Sequence, residues 1–237
     1  LRTPNMNLNG AQLKEKLRKI YKVKIAIGND VNLGIVGERW LGAARKTKNV
    51  VGLFLGTGLG GGVIINNELV LGTHGAAAEI GHMIFDANGP HCTCGNKGCL
   101  EAFVGRWAIE RDIKEAIRKG KKTIIPKLIK GATNAVKSKT LWLALKKKDP
   151  VVTKIMHDVS TRLGIACISL RHAFDPQIIV FGGGVIEACG DFILPVIRKT
   201  FRGDKFFSSF SECKIEASKL GDDAVMLGAV ALVRSLE

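Results

Sequence analysis

Apolar residues recur along the chain with the periods of helices and strands. Helical spacing predicts a helix over Ala11–Ile20, and the β-prone run Val23–Ile27 predicts a strand after it. A second helix is predicted over Val31–Ala43. The carboxylate of Asp30 therefore falls at a strand-to-helix junction.

The middle of the chain predicts strands around a run of glycines. Val50–Leu55 predicts a buried strand, and Gly62–Ile65 with Glu68–Leu71 predicts a hairpin about the turn-prone pair Asn66-Asn67. The segment Gly56–Gly62 lies between the strand and the hairpin, and we expect it to be a loop.

The second half of the chain alternates helices with strands. Residues 73–101 predict a loop rich in Gly and Cys. In the helix Pro150–Phe174, Asp149 is placed to cap the first turn and Pro150 occupies its first position. The remaining predicted elements are a helix over Ala102–Lys119, a strand over Ile178–Phe181, a further helix, a short strand near Ile215 and a closing helix over Ala224–Leu236. This alternation indicates an α/β protein.

The composition sets limits on the class of protein. The chain has 237 residues, of which 46% are hydrophobic, so it can form one large domain or two modest ones with a real core. This excludes a disordered chain and a disulfide-stapled miniprotein. No apolar run approaches the roughly 18 to 20 residues of a bilayer span, so we expect no membrane partner.

The net charge of +15 raises the question of a nucleic-acid partner. Much of the excess lies between Lys114 and Lys148, where twelve basic residues accompany one acidic residue, Glu115. This stretch has no recognition motif and little aromatic interleaving beyond Trp142, and lysines on exposed helix faces are usually solvated. We therefore expect a lysine-coated helical region and no nucleic-acid partner.

Three closely spaced cysteines indicate a metal site. Cys92, Cys94 and Cys99 lie within eight residues, and intervening glycines permit tight turns. A tetrahedral zinc site needs a fourth ligand, for which His82 and His91 compete. We favour His82, because His91 immediately precedes Cys92 and neighbouring residues seldom reach one ion without strain. With four protein ligands the zinc would be structural; the alternative is three unconnected thiols.

The other three cysteines have apolar surroundings in the sequence. Cys167, Cys189 and Cys213 fall in helical or strand contexts, which predicts buried core thiols. Disulfides within the cluster are not expected, because Cys92 and Cys94 are too close to pair easily.

Two glycine segments are candidates for binding phosphate. Gly56-x-Gly58-x-x-Gly61 matches the dinucleotide pattern, but that motif requires a helix directly afterwards and a strand is predicted here, which argues against NAD. The turn can instead bring backbone N–H groups and the Thr57 hydroxyl to phosphate oxygens, or it can simply be a tight hairpin. Gly182-Gly183-Gly184 follows a buried strand, where ligands of α/β sheets bind. The chain has no Walker A sequence.

Taken together, these segments resemble the ROK family of repressors, open reading frames and sugar kinases over nearly the whole chain. The most specific pair is Glu-x-Gly-His followed by Cys-x-Cys-Gly-x-x-Gly-Cys-x-Glu. The matching segments are Gly28-Asn29-Asp30-Val31-Asn32, Leu55 to Gly62, Ala78-Glu79-Ile80-Gly81-His82, Cys92 to Glu101, Phe181 to Gly184, and Gly221-Asp222-Asp223-Ala224 through Leu227-Gly228-Ala229.

The resemblance implies a two-domain, actin-like ATPase (ribonuclease H-like) α/β fold with sugar in the interdomain cleft and ATP beside it. It implies a remainder of a small N-terminal domain over 1–37, a large domain with the zinc loop and nucleotide site over 38–223, and a C-terminal helix over 224–237 that packs back on the small domain. It also implies a cytoplasmic homodimer or homotetramer.

The resemblance also assigns roles to individual residues. Asp30 would be the catalytic base of a glucokinase-like enzyme that phosphorylates a hexose or N-acyl hexosamine, although a helix N-cap is its simpler role. Asn29, Asp30, Glu79, His82 and Glu101 would bind the sugar, and His82, Cys92, Cys94 and Cys99 would bind Zn²⁺. The residues that would bind ATP with Mg²⁺ are Gly56, Thr57, Gly58, Gly60, Gly182, Gly183 and Gly184.

The sequence departs from the family's kinases in two places. Those kinases begin with an Asp-x-Gly-x-Thr phosphate loop, which this chain does not contain; since it starts at Leu1, we expect an N-terminal truncation that also limits its activity. Ala78 stands where glycine is frequent, and we expect little effect. The alternative function is a sugar-responsive transcriptional repressor whose helix-turn-helix would also be missing. Repressor branches commonly lose the Gly-Thr-Gly loop, which is intact here and favours the kinase.

Overall fold

A computed structural model describes residues 12–129, 135–210 and 212–234. The α-helices are α1 (Leu13–Ile20), α2 (Asp30–Leu41), α3 (Glu101–Val104), α4 (Arg106–Arg118), α5 (Ile125–Leu128), α6 (Ser138–Lys146), α7 (Pro150–Phe174), α8 (Gly184–Phe201) and α9 (Asp223–Arg234). The strands are β1 (Val50–Leu55), β2 (Leu59–Ile65), β3 (Glu68–Leu69), β4 (Ile178–Gly182) and β5 (Lys214–Ala217). Short 3₁₀ helices span Ile80–His82 and Phe206–Ser209.

The five strands of the described residues form one mixed sheet in the order β3-β2-β1-β4-β5. β1 pairs antiparallel with β2 and parallel with β4, and β4 pairs parallel with β5. The carboxyl ends of β1, β4 and β5 therefore lie at one edge of the sheet. The hairpin of β2 and β3 about Asn66-Asn67 confirms the predicted turn, and both asparagines have positive φ.

Helices cover both faces of the sheet. Alternate side chains of the central strands point to opposite sides, and both sets are apolar, so each face must be buried. Leu53 and Phe181 belong to the large apolar cluster with α7 and α8. Val50 and Val180 belong to a second cluster with Ile35 of α2. The predicted buried strand over Val50–Leu55 is confirmed at both ends.

The long helix α7 confirms the bounds predicted from its sequence. The Asp149 carboxylate accepts a hydrogen bond from the backbone N–H of Val152 at 2.9 Å, and Pro150 occupies the first position. The helix ends at Phe174, and its C-cap residue Asp175 is in the left-handed region at φ 39°. Cys167 of α7 is buried, as are Cys189 and Cys213, which confirms the three predicted core thiols.

Helices α2 and α9 pack against each other without intervening side chains. A Cβ on Gly37 would overlap the carbonyl oxygen of Ala224, and a Cβ on Gly228 would overlap that of Leu33. The predicted closing helix is thus present over the described residues and contacts α2. The last three residues of the chain lie outside the described range, as does Ala11 at the start of the first predicted helix.

The strand predicted over Val23–Ile27 is wrong. These residues form no ladder with any strand of the described ranges, and the side chains of Val23 and Ile27 are 64% and 50% exposed. β-propensity alone does not make a strand, because the backbone needs a neighbour with which to hydrogen-bond.

The glycine run also differs from the predicted loop. β2 begins at Leu59, so Gly60, Gly61 and Gly62 lie inside a strand. Their missing Cβ atoms admit other segments: a Cβ on Gly60 would overlap Val31 of α2, and one on Gly61 would overlap the carbonyl oxygen of Ala78. Only residues 56–58 form the connecting turn. The helix predicted over Ala102–Lys119 is likewise divided, by Gly105, into α3 and α4.

The basic stretch from Lys114 to Lys148 spans the end of α4 with α5 and α6. Its basic side chains are exposed throughout the described residues, which leave out Lys130. Lys114 and Lys119 pair with acidic residues one helical turn earlier on α4. This confirms a lysine-coated helical surface. None of the helices in the described ranges combines the length and apolar composition that a bilayer span requires.

Candidate functional site

Two glycine segments meet at the carboxyl edge of the sheet. Gly56 follows the last residue of β1, and Gly183 follows the last residue of its parallel neighbour β4. Gly183 has φ 88°, and a Cβ on it would lie 2.7 Å from the carbonyl oxygen of Leu55. Only glycine fits this contact. The structure therefore brings the two predicted phosphate-binding segments together, where ligands of open α/β sheets bind.

The turn between β1 and β2 is short and closed by its own backbone. The N–H of Gly56 donates to the carbonyl oxygen of Gly58 at 3.0 Å, and the chain then enters β2 directly. The glycines are followed by a strand and not by the helix that the dinucleotide motif requires. Gly60, the other glycine predicted to bind nucleotide in this segment, lies within β2 against Val31.

Helix α4 begins against this turn, a contact that the sequence did not reveal. The backbone N–H groups of Arg106 and Trp107 donate to the carbonyl oxygens of Gly56 and Thr57 at 3.3 and 3.2 Å. The guanidinium of Arg106 donates to the Thr57 hydroxyl at 2.9 Å. The side chain of Arg106 thus lies beside the Gly56–Gly58 turn, although 49 residues separate it from Thr57 in the sequence.

Glu101 connects the same turn with the cysteine loop. Its buried carboxylate accepts from the backbone N–H of Leu59 at 2.9 Å through Oε2, and from the Trp107 indole at 3.3 Å through Oε1. The hydroxyl of Thr93, inside the cysteine loop, lies 3.5 Å from Oε1. A Cβ on Gly58 would overlap the carboxylate. The Gly56–Gly58 turn and the cysteine loop therefore both contact the Glu101 side chain.

The predicted metal ligands converge. One ligand atom from each of His82, Cys92, Cys94 and Cys99 lies within 4.8 Å of the others. Cys92 Sγ is 3.7 Å from His82 Nδ1, and Cys94 Sγ is 3.7 Å from Cys99 Sγ. Zinc held by nitrogen at about 2.0 Å and sulfur at about 2.3 Å keeps tetrahedral neighbours roughly 3.5–3.8 Å apart. The four residues therefore fit one tetrahedral ion.

His91 lies outside the cluster, as predicted. It is exposed and forms an isolated bridge with Lys97. The loop turns at Gly95 (φ 97°) and Gly98 (φ 77°), and the N–H of Cys92 donates to the carbonyl oxygen of Asn96 at 2.8 Å. The described cysteines include no disulfide.

The thiols of the cluster have unlike surroundings. The backbone hydrogen bond from Asn96 lowers the pKa of Cys94, whereas burial raises the pKa of Cys99 to about 12. A bound divalent cation would favour the thiolate form at every position, since thiolates are the form that binds metal.

Asp30 is exposed at the first residue of α2. The Asn29 side chain caps this helix, because its Oδ1 accepts from the N–H groups of Val31 and Asn32 at 2.9 and 3.1 Å. The N-cap role that was the alternative for Asp30 therefore belongs to Asn29. The Asp30 carboxylate accepts a hydrogen bond from the N–H of Val31 at 2.9 Å.

The first residues of β2 bring the remaining predicted sugar-binding segments together. Gly60 admits the first turn of α2, and Gly61 admits the segment that carries Glu79 and His82. A Cβ on Gly81 would overlap the carbonyl oxygen of Leu59. Residues at or next to Asp30, Glu79, His82 and Glu101 thus all contact residues 59–61.

A cavity of about 270 Å³ lies beyond the carboxyl ends of β4 and β5. Gly182, Glu187 and Ser218 are among its lining residues. Burial raises the pKa of Glu187, and the nearby Asp222 raises it further. This cavity adjoins the Gly182–Gly184 segment on the side away from the Gly56–Gly58 turn.

A buried carboxylate anchors the loop beside that cavity. Glu38 of α2 is fully buried and accepts from the Ser218 hydroxyl and the Leu220 N–H through Oε1, and from the Ala43 N–H through Oε2. The Ser218 hydroxyl oxygen accepts in turn from the N–H of Gly221. The helix that starts at Asp30 thereby holds the loop that follows β5.

The sequence matches the ROK family over residues 1–235. The chain belongs to the ROK family. It is 34% identical over 233 residues to a glucokinase of Thermotoga maritima, covering 98% of this chain and 73% of that protein. It is 30% identical to a xylose repressor of Caldicellulosiruptor bescii over 99% of this chain, but spans only 58% of the repressor's length.

The structure is similar to a solved ROK family glucokinase from Streptomyces griseus, in complex with glucose and AMPPNP. The TM-score is 0.87 at 31% identity, covering 99% of this chain and 76% of that one. The family resemblance and the actin-like ATPase class of the α/β fold are therefore confirmed. The roles of the individual site residues stay predictions.

Proposed function

We propose that this ROK-family protein is a sugar kinase that transfers the γ-phosphoryl group of ATP to a hydroxyl of a hexose or N-acyl hexosamine. One observation carries the proposal. The turn Gly56–Gly58 and the segment Gly182–Gly184 meet at the carboxyl edge of the sheet, and the helix that begins at Asp30 packs on the first residues of β2 at that edge. Nucleotide, sugar and a carboxylate base can thus share one cleft.

The glycine segments suit the phosphates of ATP. Backbone N–H groups without a neighbouring Cβ can approach phosphate oxygens closely, and the exposed Thr57 hydroxyl can donate to one of them. The cavity lined by Gly182, Glu187 and Ser218 would take the nucleoside end. Mg²⁺ would arrive with ATP and neutralise the charge that develops on the transferred group.

Asp30 is proposed as the base. A sugar hydroxyl is a poor nucleophile, and the Asp30 carboxylate would accept its proton as the oxygen attacks the γ-phosphorus. The Asn29 cap and the contact between Val31 and Gly60 fix the position of the first turn of α2, and therefore of the Asp30 backbone. Most of the rate acceleration in such reactions comes from positioning and electrostatics.

Asn29, Glu79, His82 and Glu101 are proposed to hold the sugar hydroxyls. Asn29 uses its Oδ1 in the helix cap, which leaves its NH₂ group to donate. Glu101 accepts from two N–H groups and lies 3.5 Å from the Thr93 hydroxyl, whereas a carboxylate has about four acceptor positions, so capacity remains for a sugar hydroxyl.

The Cys and His cluster is proposed to bind a structural Zn²⁺. His82, Cys92, Cys94 and Cys99 fit a tetrahedral ion, and with four protein ligands no position remains for water to be activated. Binding through Nδ1 would leave Nε2 of His82, on the opposite side of the ring, for a sugar hydroxyl. The ion would fix the loop that connects Glu79, His82 and Glu101, and so shape the sugar site.

The domain division over 1–37, 38–223 and 224–237 is also a proposal. The contact between α9 and α2 supports a C-terminal helix that returns to the N-terminal part. Helix α2 is continuous through residue 37, so the division would fall inside it. A homodimer or homotetramer and a cytoplasmic location stay predictions.

A sugar-responsive repressor is the second candidate, and the xylose repressor among the relatives favours it. The intact Gly56–Thr57–Gly58 turn, with its arginine contact, supports the kinase, since a repressor that only senses sugar has no use for a phosphate site. The two candidates share the sugar and zinc sites and differ in phosphoryl transfer.

The deciding experiment is a panel of hexoses and N-acyl hexosamines, assayed with ATP and Mg²⁺ on the full-length protein. We expect phosphorylation of at least one sugar. Asp30→Asn should abolish turnover with sugar binding retained, because it removes the proton acceptor and preserves the size of the side chain.

A matched control is Asp158→Asn, on the solvent-exposed side of α7, where the carboxylate pairs with Lys154. This variant should keep the full rate. Sugar binding without phosphorylation of any panel member would favour the repressor, and an unchanged rate in Asp30→Asn would contradict the assigned base.

A further inference from the structure

We propose that Arg106 is a phosphate-binding residue of the nucleotide site, in addition to the glycines and Thr57. The inference rests on the proposed function only in placing the ATP phosphates at the Gly56–Gly58 turn. Arg106 is the first residue of α4, and its guanidinium is held against that turn by the Thr57 hydroxyl at 2.9 Å.

The guanidinium has no carboxylate partner among the described residues. It donates to two neutral oxygens, the Thr57 hydroxyl and, at 3.4 Å, the carbonyl of Val136. The half-buried guanidinium carries five N–H donors and a permanent charge, and its planar fork matches the geometry of a phosphate group. Its remaining donors and its charge therefore suit a phosphate beside the turn.

The contact with Thr57 also orients the hydroxyl. A hydroxyl group has one proton to donate and two lone pairs to accept. Since Arg106 donates to Oγ1, one lone pair is occupied and the Thr57 proton is directed elsewhere, where a phosphate oxygen can receive it. Arg106 and Thr57 would then present adjacent donors to the same anion.

The backbone fixes Arg106 in this place. The N–H groups of Arg106 and Trp107 donate to Gly56 and Thr57, so the start of α4 and the turn move together. Through Val136 the guanidinium also reaches the segment just before α6. The side chain of Ser138, in the first turn of α6, is 3.9 Å from where a Cβ on Gly184 would lie. Arg106 therefore contacts the first glycine segment directly and is connected to the second through the residues at the start of α6.

The test measures nucleotide affinity in the absence of sugar. Dissociation constants for ATP, ADP, AMP and adenosine, each with Mg²⁺, are determined by titration calorimetry on the full-length protein and on Arg106→Ala. We expect ATP to bind about tenfold more weakly to the variant, as for loss of one charge-assisted hydrogen bond, and adenosine to bind equally well. Arg106→Lys should recover part of the loss, because it restores charge without the planar fork.

The matched control is Arg118→Ala, at the exposed far end of the same helix, which removes an equal charge and should leave every affinity unchanged. Wild-type affinity for ATP in Arg106→Ala would overturn the inference. So would an equal loss for adenosine and ATP, which indicates a purely structural role.

The failure of this inference is distinguishable from failure of the kinase proposal. Binding is measured without turnover, so a protein that loses ATP affinity in Arg106→Ala but phosphorylates no sugar would retain the inference and lose the kinase. If the protein phosphorylates a sugar but the wild type and Arg106→Ala bind ATP equally well, the kinase proposal stands and this inference is overturned. Absence of ATP binding by the unaltered protein would overturn both.

Discussion

The carboxylate of Glu101 occupies the space that a side chain on Gly58 would need. The same carboxylate receives the N–H of Leu59, so the turn after β1 and the loop of cysteines meet at one buried acid. The sugar and phosphate regions of the proposed kinase are therefore not independent, because a shift of the turn displaces a side chain assigned to the sugar.

Gly58→Ala is expected to destabilise the protein by about 1–3 kcal/mol, because the added methyl group displaces the Glu101 carboxylate. Thermal unfolding measures this. Gly56→Ala is the matched control, since no heavy atom lies within 4 Å of its added Cβ and the melting temperature should stay near that of the wild type. Equal melting temperatures for the two variants would contradict the packing described for Gly58.

Cys94→Ser is expected to lose stoichiometric zinc and to unfold several degrees lower, because the tetrahedral set loses one thiolate. Metal content by mass spectrometry and thermal unfolding provide the two readouts. Cys189→Ala is the control: it removes a buried thiol of α8, outside the cluster, and should keep the metal. A Cys94→Ser protein with full zinc content would refute the metal site.

Glu38→Gln is expected to cost about 2–4 kcal/mol of folding stability, because an amide NH₂ replaces a buried acceptor that faces N–H and O–H donors. Ser218→Ala removes the donor to Glu38 and the acceptor of the Gly221 N–H, and should cost about 1–2 kcal/mol. Denaturant unfolding of the single and double variants gives the coupling energy. Strict additivity would mean that Glu38 and Ser218 do not depend on each other.

Ala78→Gly is expected to stabilise the protein by about 0.5–1 kcal/mol. Ala78 has φ 63°, a left-handed conformation that glycine adopts more readily than alanine. The sequence predicted little effect of alanine in place of glycine at this position, because it does not show the backbone conformation. Ala116→Gly inside α4 is the control and should destabilise by about 1 kcal/mol, since glycine is a poor helix former. Denaturant unfolding showing the same sign for both variants would argue against strain at Ala78.

The sequence predicted those elements whose signals are local. The capping of α7 by Asp149 and the turn at Asn66-Asn67 each depend on neighbouring residues, and both are present as expected. The convergence of His82 with three cysteines was also predictable, because ligand chemistry and glycine spacing restrict such a loop strongly.

What the sequence did not predict depends on distant partners. A strand over Val23–Ile27 requires a neighbouring strand, which propensity does not supply. The glycines at 60–62 lie within β2 because α2 and the segment at Ala78 approach them. Glu38 and Ser218 are 180 residues apart, and Arg106 and Thr57 are 49 apart, so no local pattern connects either pair.

The glycine crossing of α2 and α9 has a mechanical consequence. Because the backbones of α2 and α9 are in direct contact at Gly37 and Gly228, the two helices cannot slide past each other without a steric clash. We expect them to move as one rigid unit. Asp30 is the first residue of α2 in that unit, and Glu38, near the other end of α2, is hydrogen-bonded to Ser218 in the loop after β5. A spectroscopic probe on the exposed side of α9, at Met226 for instance, would therefore report on the position of the proposed base without touching the cleft.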